Sequence, residues 1–161
     1  MSEETGESMR KEIWIAPAVF AADRGCKILA ERIPPEGKVL IPWILGLRYT
    51  RNTGMAFSLF SGHPWLLGLL SLLIVAGAFL FLRKKEIPPL PFIGLMLMLG
   101  GAAGNMADRL FGGSVPDMIE LLFVRFAVFN PADMALTIGC AMIMLYLIIG
   151  RSQPSGSSSC K

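Results

Sequence analysis

Three of the four aspartates in the chain lie in one stretch, from Gly100 to Asp133, between two long apolar segments. Carboxylates beside segments of bilayer length are costly to desolvate, and they usually face a protein interior or a water-filled cavity. Two carboxylates brought together at low dielectric constant cannot both ionise easily, so such a pair shares a proton. For Asp117 and Asp133, this predicts the chemistry of aspartic proteolysis. The ionised member takes a proton from water, and the protonated member polarises the scissile carbonyl.

Asp133 belongs to the sequence NPAD, which favours the start of a helix. Asn130 suits the N-cap, Pro131 suits the first turn because its missing N–H is harmless there, and Asp133 can bond back to the cap. A purely capping role is therefore an alternative for Asp133, but it leaves Asp117 unexplained. Asp117 follows a proline, so its own alternative is the beginning of a turn or of a short helix.

Polar residues at two further places could complete a pocket. Asn105, Asp108 and Arg109 are three and four residues apart, which places them near one face of a helix. They predict a polar pocket, and the alternative is a helix end whose charged side chains snorkel and pair with each other. Asn52 and Gly54 lie in RNTG, which is typical of a plain turn because Asn and Gly tolerate positive φ.

The composition is that of an integral membrane protein. Of 161 residues, 53% are apolar and 17% are charged, with a mean hydropathy of +0.58. A soluble domain of this size would carry more charge. The formal net charge of +3 is too weak and scattered for a nucleic-acid surface, so no nucleic-acid partner is expected. Three widely spaced cysteines and a single histidine predict neither a metal site nor a cofactor.

Four apolar stretches predict four transmembrane helices in a single membrane domain covering residues 1–161. A span needs roughly 20 residues, and the stretches are residues 13–33, 64–82, 87–107 and 131–150. Two polar loops and two disordered tails connect and flank them: residues 34–63, 108–130, 1–12 and 152–161. The first span is unusual because it carries Asp23 and Lys27, which are four residues apart and can pair on one helix face.

The loop of residues 34–63 predicts strands and turns, because Pro and Gly interrupt its short apolar runs. Within it, residues 55–60 (MAFSLF) predict a short helix or strand lying in the membrane interface. Trp43 and Tyr49 suit the same depth, because their rings can be buried while their polar edges stay wet.

Basic residues accumulate on one side of the predicted spans. They are Arg10 and Lys11 before the first span, RKKE at residues 83–86 between the second and third, and Arg151 after the fourth. By the positive-inside rule this side is the cytoplasm. Asp117 and Asp133 are then expected at the outer surface of the membrane.

Five blocks of the sequence occur in the order found in bacterial lipoprotein signal peptidase, the type II signal peptidase. The chain resembles that family from about Trp14 to Gly150. AADRGCKIL resembles the family's D-x-x-x-K block and RNTGMAFSLF its N-T-G-A-A-F block. GGAAGNMADRL is similar to G-G-x-x-G-N-x-x-D-R, VPDMIE to V-x-D-F, and VFNPADMALTIG to F-N-x-A-D. Each block alone is weakly specific, whereas five in register on four spans are highly specific.

The resemblance implies a monomeric aspartic endopeptidase of the bacterial inner (cytoplasmic) membrane. Its substrates would be prolipoproteins with a diacylglyceryl-modified cysteine, cleaved just before that cysteine, and membrane lipids would surround it. The implied fold is an all-α integral membrane protein of four transmembrane helices with a small extracytoplasmic β-cradle and an interfacial helix. The termini would be cytoplasmic and the active site extracytoplasmic.

The resemblance also assigns roles to individual residues. Asp117 and Asp133 would be the catalytic dyad. The substrate pocket and its polar support would comprise Asn52, Gly54, Asn105, Arg109, Asn130, Asp23, Lys27 and Asp108. Two positions depart from the family pattern, since Arg24 replaces a usual glutamine and Met118 replaces an aromatic residue.

A different class of function uses the same kind of residue. Carboxylates inside a membrane can serve as the proton relay of a small transporter. Four spans without a detectable internal repeat argue against a transporter.

Overall fold

The computed structural model describes residues 11–54, 63–82 and 87–151. A single turn of 3₁₀ helix at Lys11–Trp14 leads into the first α-helix, so the end of the predicted disordered tail is ordered. In chain order the elements are α1 (Ile15–Ala30), β1 (Lys38–Ile41), β2 (Leu45–Asn52), α2 (Pro64–Leu82), α3 (Pro89–Gly112), β3 (Val115–Leu121) and α4 (Pro131–Arg151). The fold is therefore mostly helical with a small sheet.

Helix α3 packs against the other three helices, and glycines permit its close approach to α1 and α4. A Cβ at Gly100 would lie 2.5 Å from the Ala16 carbonyl oxygen of α1, and one at Gly101 would lie 2.5 Å from the Ala132 carbonyl oxygen of α4. Real Cβ atoms do not come so close to backbone oxygens. Small residues therefore set the short distances between these helices.

The three strands form an antiparallel sheet in the order β1-β2-β3. Its register places Thr50 of β2 opposite Asp117 of β3. Beyond β3 the chain turns back, and Phe129 exchanges both backbone hydrogen bonds with Ile119, at 3.0 and 2.8 Å. This return holds the start of α4 beside the strand that carries Asp117. The alternative of a turn or short helix at Asp117 is wrong, because the segment pairs with β2 as a strand.

The helix ends differ from the predicted spans mainly in α1 and α3. Helix α1 begins and ends inside residues 13–33, and α3 continues beyond residue 107 to Gly112, where Gly113 adopts a left-handed φ of 68°. Among the described helices, α3 and residues Pro131–Ile149 of α4 are long and apolar enough to cross a membrane. The arrangement of four spans stays a prediction. The predicted interfacial segment, the RKKE turn and the C-terminal tail lie outside the described residues.

Candidate active site

The first turn of α4 is closed by a reciprocal pair of hydrogen bonds, as the NPAD sequence predicts. The Asp133 N–H donates to Asn130 Oδ1 at 3.0 Å, and the Asn130 N–H donates to Asp133 Oδ2 at 3.3 Å. Pro131 occupies the first helical position, where no N–H is needed. The cap holds the Asp133 carboxylate at the N-terminus of the helix, where the positive end of the helix dipole attracts negative charge.

Asp117 is buried on β3, with 3% of its surface exposed. Asn130 Nδ2 donates to its Oδ1 at 2.6 Å, and Asn52 Nδ2 donates to its Oδ2 at 3.1 Å. Asn52 is itself oriented by the turn that follows β2, because the Gly54 N–H donates to Asn52 Oδ1 at 2.9 Å. The predicted turn at RNTG thus aims an amide at Asp117.

Asn130 connects the two aspartates. Its side-chain amide donates to Asp117 and its backbone N–H donates to Asp133, while the residue itself is fully buried. On the other side of Asp133, Asn105 Nδ2 donates to Oδ1 at 2.8 Å. Each of the four carboxylate oxygens therefore accepts one hydrogen bond from an asparagine.

Both aspartates line one cavity of about 530 Å³. Asn52 and Asn130 reach it as well, and its remaining wall is largely apolar, formed by residues of β3, of the segment before α4 and of α4. Met134 and Ile138 belong to this wall. An apolar cavity with a few convergent polar groups is the usual form of a site that binds and transforms a ligand.

Burial raises the pKa of Asp117 above its ordinary value. The hydrogen bonds from Asn130 and Asn52 act in the opposite direction, and the neighbouring negative charge of Asp133 raises the pKa further. The net direction is upward, because desolvation penalises the charged form more than two amide donors stabilise it. The surroundings of Asp117 therefore favour its protonated form.

Arg109 of α3 lies near both aspartates and interacts electrostatically with each. Its Nη2 donates to the Gly54 carbonyl oxygen at 2.8 Å, which ties α3 to the turn after β2. Among the buried side-chain polar atoms of the described residues, only the Arg109 Nε lacks a hydrogen-bond partner. Buried polar atoms are nearly always hydrogen-bonded, so this unpaired N–H near two carboxylates marks Arg109 as a candidate functional residue.

The predicted polar pocket of Asn105, Asp108 and Arg109 forms only in part. Asn105 and Asp108 meet at Lys27 Nζ, whereas Arg109 contacts the turn after β2, and none of the three is among the residues that line the cavity. Asp108 pairs with residues of α1 rather than with Arg109. It faces α1, where its Oδ2 accepts from Lys27 Nζ at 2.6 Å and its Oδ1 accepts from Arg24 Nη1. The predicted pairing of Asp23 with Lys27 is confirmed at 2.7 Å. Sequence reasoning did not anticipate the Arg24–Asp108 pair, because its partners are 84 residues apart.

We define the ionic cluster as Asp23, Arg24, Lys27 and Asp108, of which all but Arg24 are buried. The cluster reaches α4 directly, because the Ala132 N–H donates to Asp23 Oδ1 at 3.0 Å. It reaches the aspartate pair through Asn105, whose Oδ1 accepts from Lys27 Nζ at 3.0 Å. The residues that the resemblance groups together thus occupy three connected positions. Asn52, Asp117, Asn130 and Asp133 line the cavity, Gly54, Asn105 and Arg109 support them, and Asp23, Lys27 and Asp108 belong to the ionic cluster.

Bilayer-length helices, a small antiparallel sheet and two aspartates on one apolar cavity define a class of protein, a helical membrane protein with a buried carboxylate site. Comparison with known sequences identifies the family. Residues 15–149 match the family described as signal peptidase (SPase) II. The chain belongs to this family, and it is therefore a protease of the bacterial membrane.

Individual relatives cover nearly the whole chain. The lipoprotein signal peptidase of Geobacillus kaustophilus is 35% identical over 149 residues, which cover 89% of this chain and 97% of the relative. That of Lactobacillus gasseri is 38% identical over 137 residues, covering 83% and 89%. A bacterial membrane enzyme solved by the in meso method at 2.3 Å resolution superposes with a TM-score of 0.85 at 26% identity, covering 95% and 96% of the two chains.

Proposed function

We propose that this protein is an aspartic endopeptidase that removes the signal peptide from diacylglyceryl-modified prolipoproteins, cleaving just before the lipidated cysteine. The observation that carries the proposal is the placement of Asp117 and Asp133 on one cavity, joined by Asn130. Membership of the signal peptidase II family supports the reaction class. The relatives named lipoprotein signal peptidase support the substrate class.

The two aspartates divide the proton transfers between them. Asp133 begins ionised and takes a proton from a water molecule, whose oxygen attacks the scissile carbonyl carbon, while Asp117 gives its proton to the carbonyl oxygen. In the tetrahedral intermediate, Asp133 passes its proton to the amide nitrogen and the C–N bond breaks. One hydroxyl of the intermediate returns a proton to Asp117, which restores the starting state.

Arg109 supplies a donor for the substrate. Its Nη2 is anchored on the Gly54 carbonyl oxygen, which leaves the buried Nε–H free to meet a peptide carbonyl near the aspartates. A preorganised donor of this kind stabilises charge that develops on oxygen in the transition state. Asn52, Gly54, Asn105 and Asn130 then complete the pocket by orienting the two carboxylates and the guanidinium.

The apolar wall of the cavity suits a substrate that carries lipid and a hydrophobic signal segment. Because a diacylglyceryl anchor holds the cleavage site at the bilayer surface, the aspartates must come to that depth. We place the termini in the cytoplasm and the site outside it, since the basic residues flank one side of the four predicted spans. We propose that the enzyme acts in the inner membrane as a monomer, because one chain supplies both aspartates. Reporter fusions at Glu86 and Gly113 test this topology, and finding both on one side would rule it out.

Hydrolysis by the purified protein in detergent tests the proposed function. The substrate is a synthetic prolipoprotein with a diacylglyceryl cysteine, and the control is the same peptide without lipid. Mass spectrometry should find a single cut before the modified cysteine, with no need for an ion gradient. An uncut lipidated substrate, or flux that depends on a gradient, would refute the proposal.

A further inference from the structure

Asn105 meets two charged groups with opposite ends of one amide. Its Nδ2 donates to Asp133 Oδ1 at 2.8 Å, and its Oδ1 accepts from Lys27 Nζ at 3.0 Å. The two ends of an asparagine amide are nearly the same size, so the hydrogen-bond network decides between them. A reversed amide would set an oxygen against the Asp133 carboxylate and an N–H group against the ammonium.

Lys27 is able to select one end of this amide. An ammonium carries three donors and no acceptor, so it accepts only the oxygen end as its neighbour. All three donors are in use, because Lys27 Nζ also donates to Asp23 Oδ2 at 2.7 Å and to Asp108 Oδ2 at 2.6 Å. Only 2% of the side chain is exposed, so water does not replace these contacts.

Lys27 is in turn held firmly by its two carboxylate partners. Asp23 Oδ1 accepts from the Ala132 N–H at the start of α4, and Asp108 Oδ1 accepts from Arg24. Two carboxylates thus balance two cations, which avoids the cost of an unpaired buried charge. Arg24 reaches the cluster from outside, with 40% of its side chain exposed.

We propose that Lys27 is a positioning residue that holds the N–H end of Asn105 toward Asp133. This inference rests on the proposed function of Asp133. Lys27 does not line the cavity and all three of its donors are occupied, so it acts on the reaction through Asn105 rather than by touching the substrate. Its removal frees the amide to reverse, and Asp133 then loses a donor and gains a repelling oxygen.

A double-mutant cycle in kcat tests this role. Lys27→Met is combined with Asp23→Asn, so that the local charge stays balanced and the Asp108–Arg24 pair remains intact. Asp23→Asn alone is the control, because it retains Lys27. Asp23→Asn and Asp23→Asn/Lys27→Met are each made once with Asn105 intact and once with Asn105→Ala. For these four proteins, kcat and KM are measured on the lipidated prolipoprotein.

With Asn105 present, the loss of Lys27 should lower kcat roughly ten- to hundredfold at unchanged KM, the range expected for one hydrogen bond to a charged group. With Asn105→Ala, the same loss should change kcat by less than about twofold, because Lys27 then has no amide to orient. Equal losses in both backgrounds, or no loss when Asn105 is present, would overturn the positioning role.

Thermal unfolding of each variant separates this role from a purely structural one, which would lower the midpoint and leave kcat of the folded enzyme unchanged. If the Lys27→Met variant does not fold, Lys27→Gln replaces it in the same cycle. A glutamine of similar length offers Asn105 either a donor or an acceptor and so does not select one end. Failure of the proposed function looks different, because the wild-type protein itself would leave the prolipoprotein uncut, and the positioning role would fall with it.

Discussion

The two pairs of aspartates in this protein differ in their partners. Asp23 and Asp108 share the ammonium of Lys27, and Arg24 adds a second cation. Asp117 and Asp133 instead share Asn130 and accept hydrogen bonds from amide and backbone N–H groups. The second pair lines the cavity, whereas the first pair joins α1 to α3 and α4.

This difference shows why the number of carboxylates does not by itself identify a reactive site. Asp23 and Asp108 are held in ion pairs with Lys27 and Arg24, and neither residue lines the cavity. A carboxylate held by neutral amides keeps a fixed position, but its proton can still be exchanged with a neighbour or with water. The chemistry of the partners thus separates the structural pair from the reactive pair, and the following substitutions test that separation.

The largest effect is expected at Asp117 and Asp133, the pair that lines the cavity. Asp117→Asn should lower cleavage at least about a thousandfold, because one of the two proton carriers is lost, and Asp117→Asn/Asp133→Asn should be no worse than either single variant. The comparison requires kcat on the lipidated prolipoprotein for the singles and the double. Losses that multiply in the double variant would mean that the two aspartates do not act as a unit.

Arg109→Lys should come next, with a loss of roughly ten- to thousandfold in kcat. One ammonium cannot hold the Gly54 carbonyl and also present a second donor at the place of Nε, because it lacks the fork of the guanidinium. The thermal midpoint should change little. Arg48→Lys is the matched control, since Arg48 pairs with Glu120 at the surface of the sheet. Equal activity of the two variants would reduce Arg109 to a structural anchor.

Besides the effect of Lys27 on kcat through Asn105, the ionic cluster should contribute to stability. Lys27→Met leaves Asp23 and Asp108 buried with Arg24 as the remaining cation, which should cost about 3–5 kcal/mol of unfolding free energy. Asp23→Asn/Lys27→Met removes one charge of each sign and should recover much of that loss. Chemical denaturation in detergent micelles gives both values. A charge-balanced variant no more stable than Lys27→Met alone would contradict the role of charge pairing.

The smallest effect concerns the pH dependence of stability. Burial raises the pKa of Asp117 in the folded protein, so the folded state holds this proton more tightly than the unfolded state does. The stability that the proton contributes is complete below the unfolded pKa of about 4, and it is lost as pH rises through the raised folded pKa. The Asp117→Asn variant has no proton to lose at this position, so it should gain stability relative to wild type as pH rises. A difference in unfolding free energy that stays constant between about pH 4 and pH 8 would contradict this.

Local features of the site could be predicted from the sequence. The reciprocal cap of Asn130 and Asp133 depends on residues three apart, and the pairing of Asp23 with Lys27 depends on residues four apart on one helix. The turn that aims Asn52 is equally local, because Gly54 supplies its N–H. Such contacts follow from the geometry of a single element, so composition and spacing are sufficient to indicate them.

Contacts between distant elements could not be predicted in the same way. The strand at Asp117 forms because β2 pairs with it, and nothing within its own seven residues specifies that register. The neighbour that the Asp108 face of α3 meets depends on where α1 packs. This packing directs Asp108 to Lys27 rather than to the cavity. The pair that Arg24 forms with Asp108 has the same origin.

Cleavage of a lipidated prolipoprotein by purified, folded Asp133→Asn tests the central claim most directly. The asparagine oxygen can still accept the Asn130 N–H, so the helix cap survives, and losing one further hydrogen bond should cost about 1 kcal/mol. The charge that accepts the proton of water is gone. If Asp133 belongs to the reactive pair, kcat should fall to background while the thermal midpoint stays close to that of wild type. Cleavage at a near wild-type rate would show that Asp133 only caps α4, and it would contradict the mechanism.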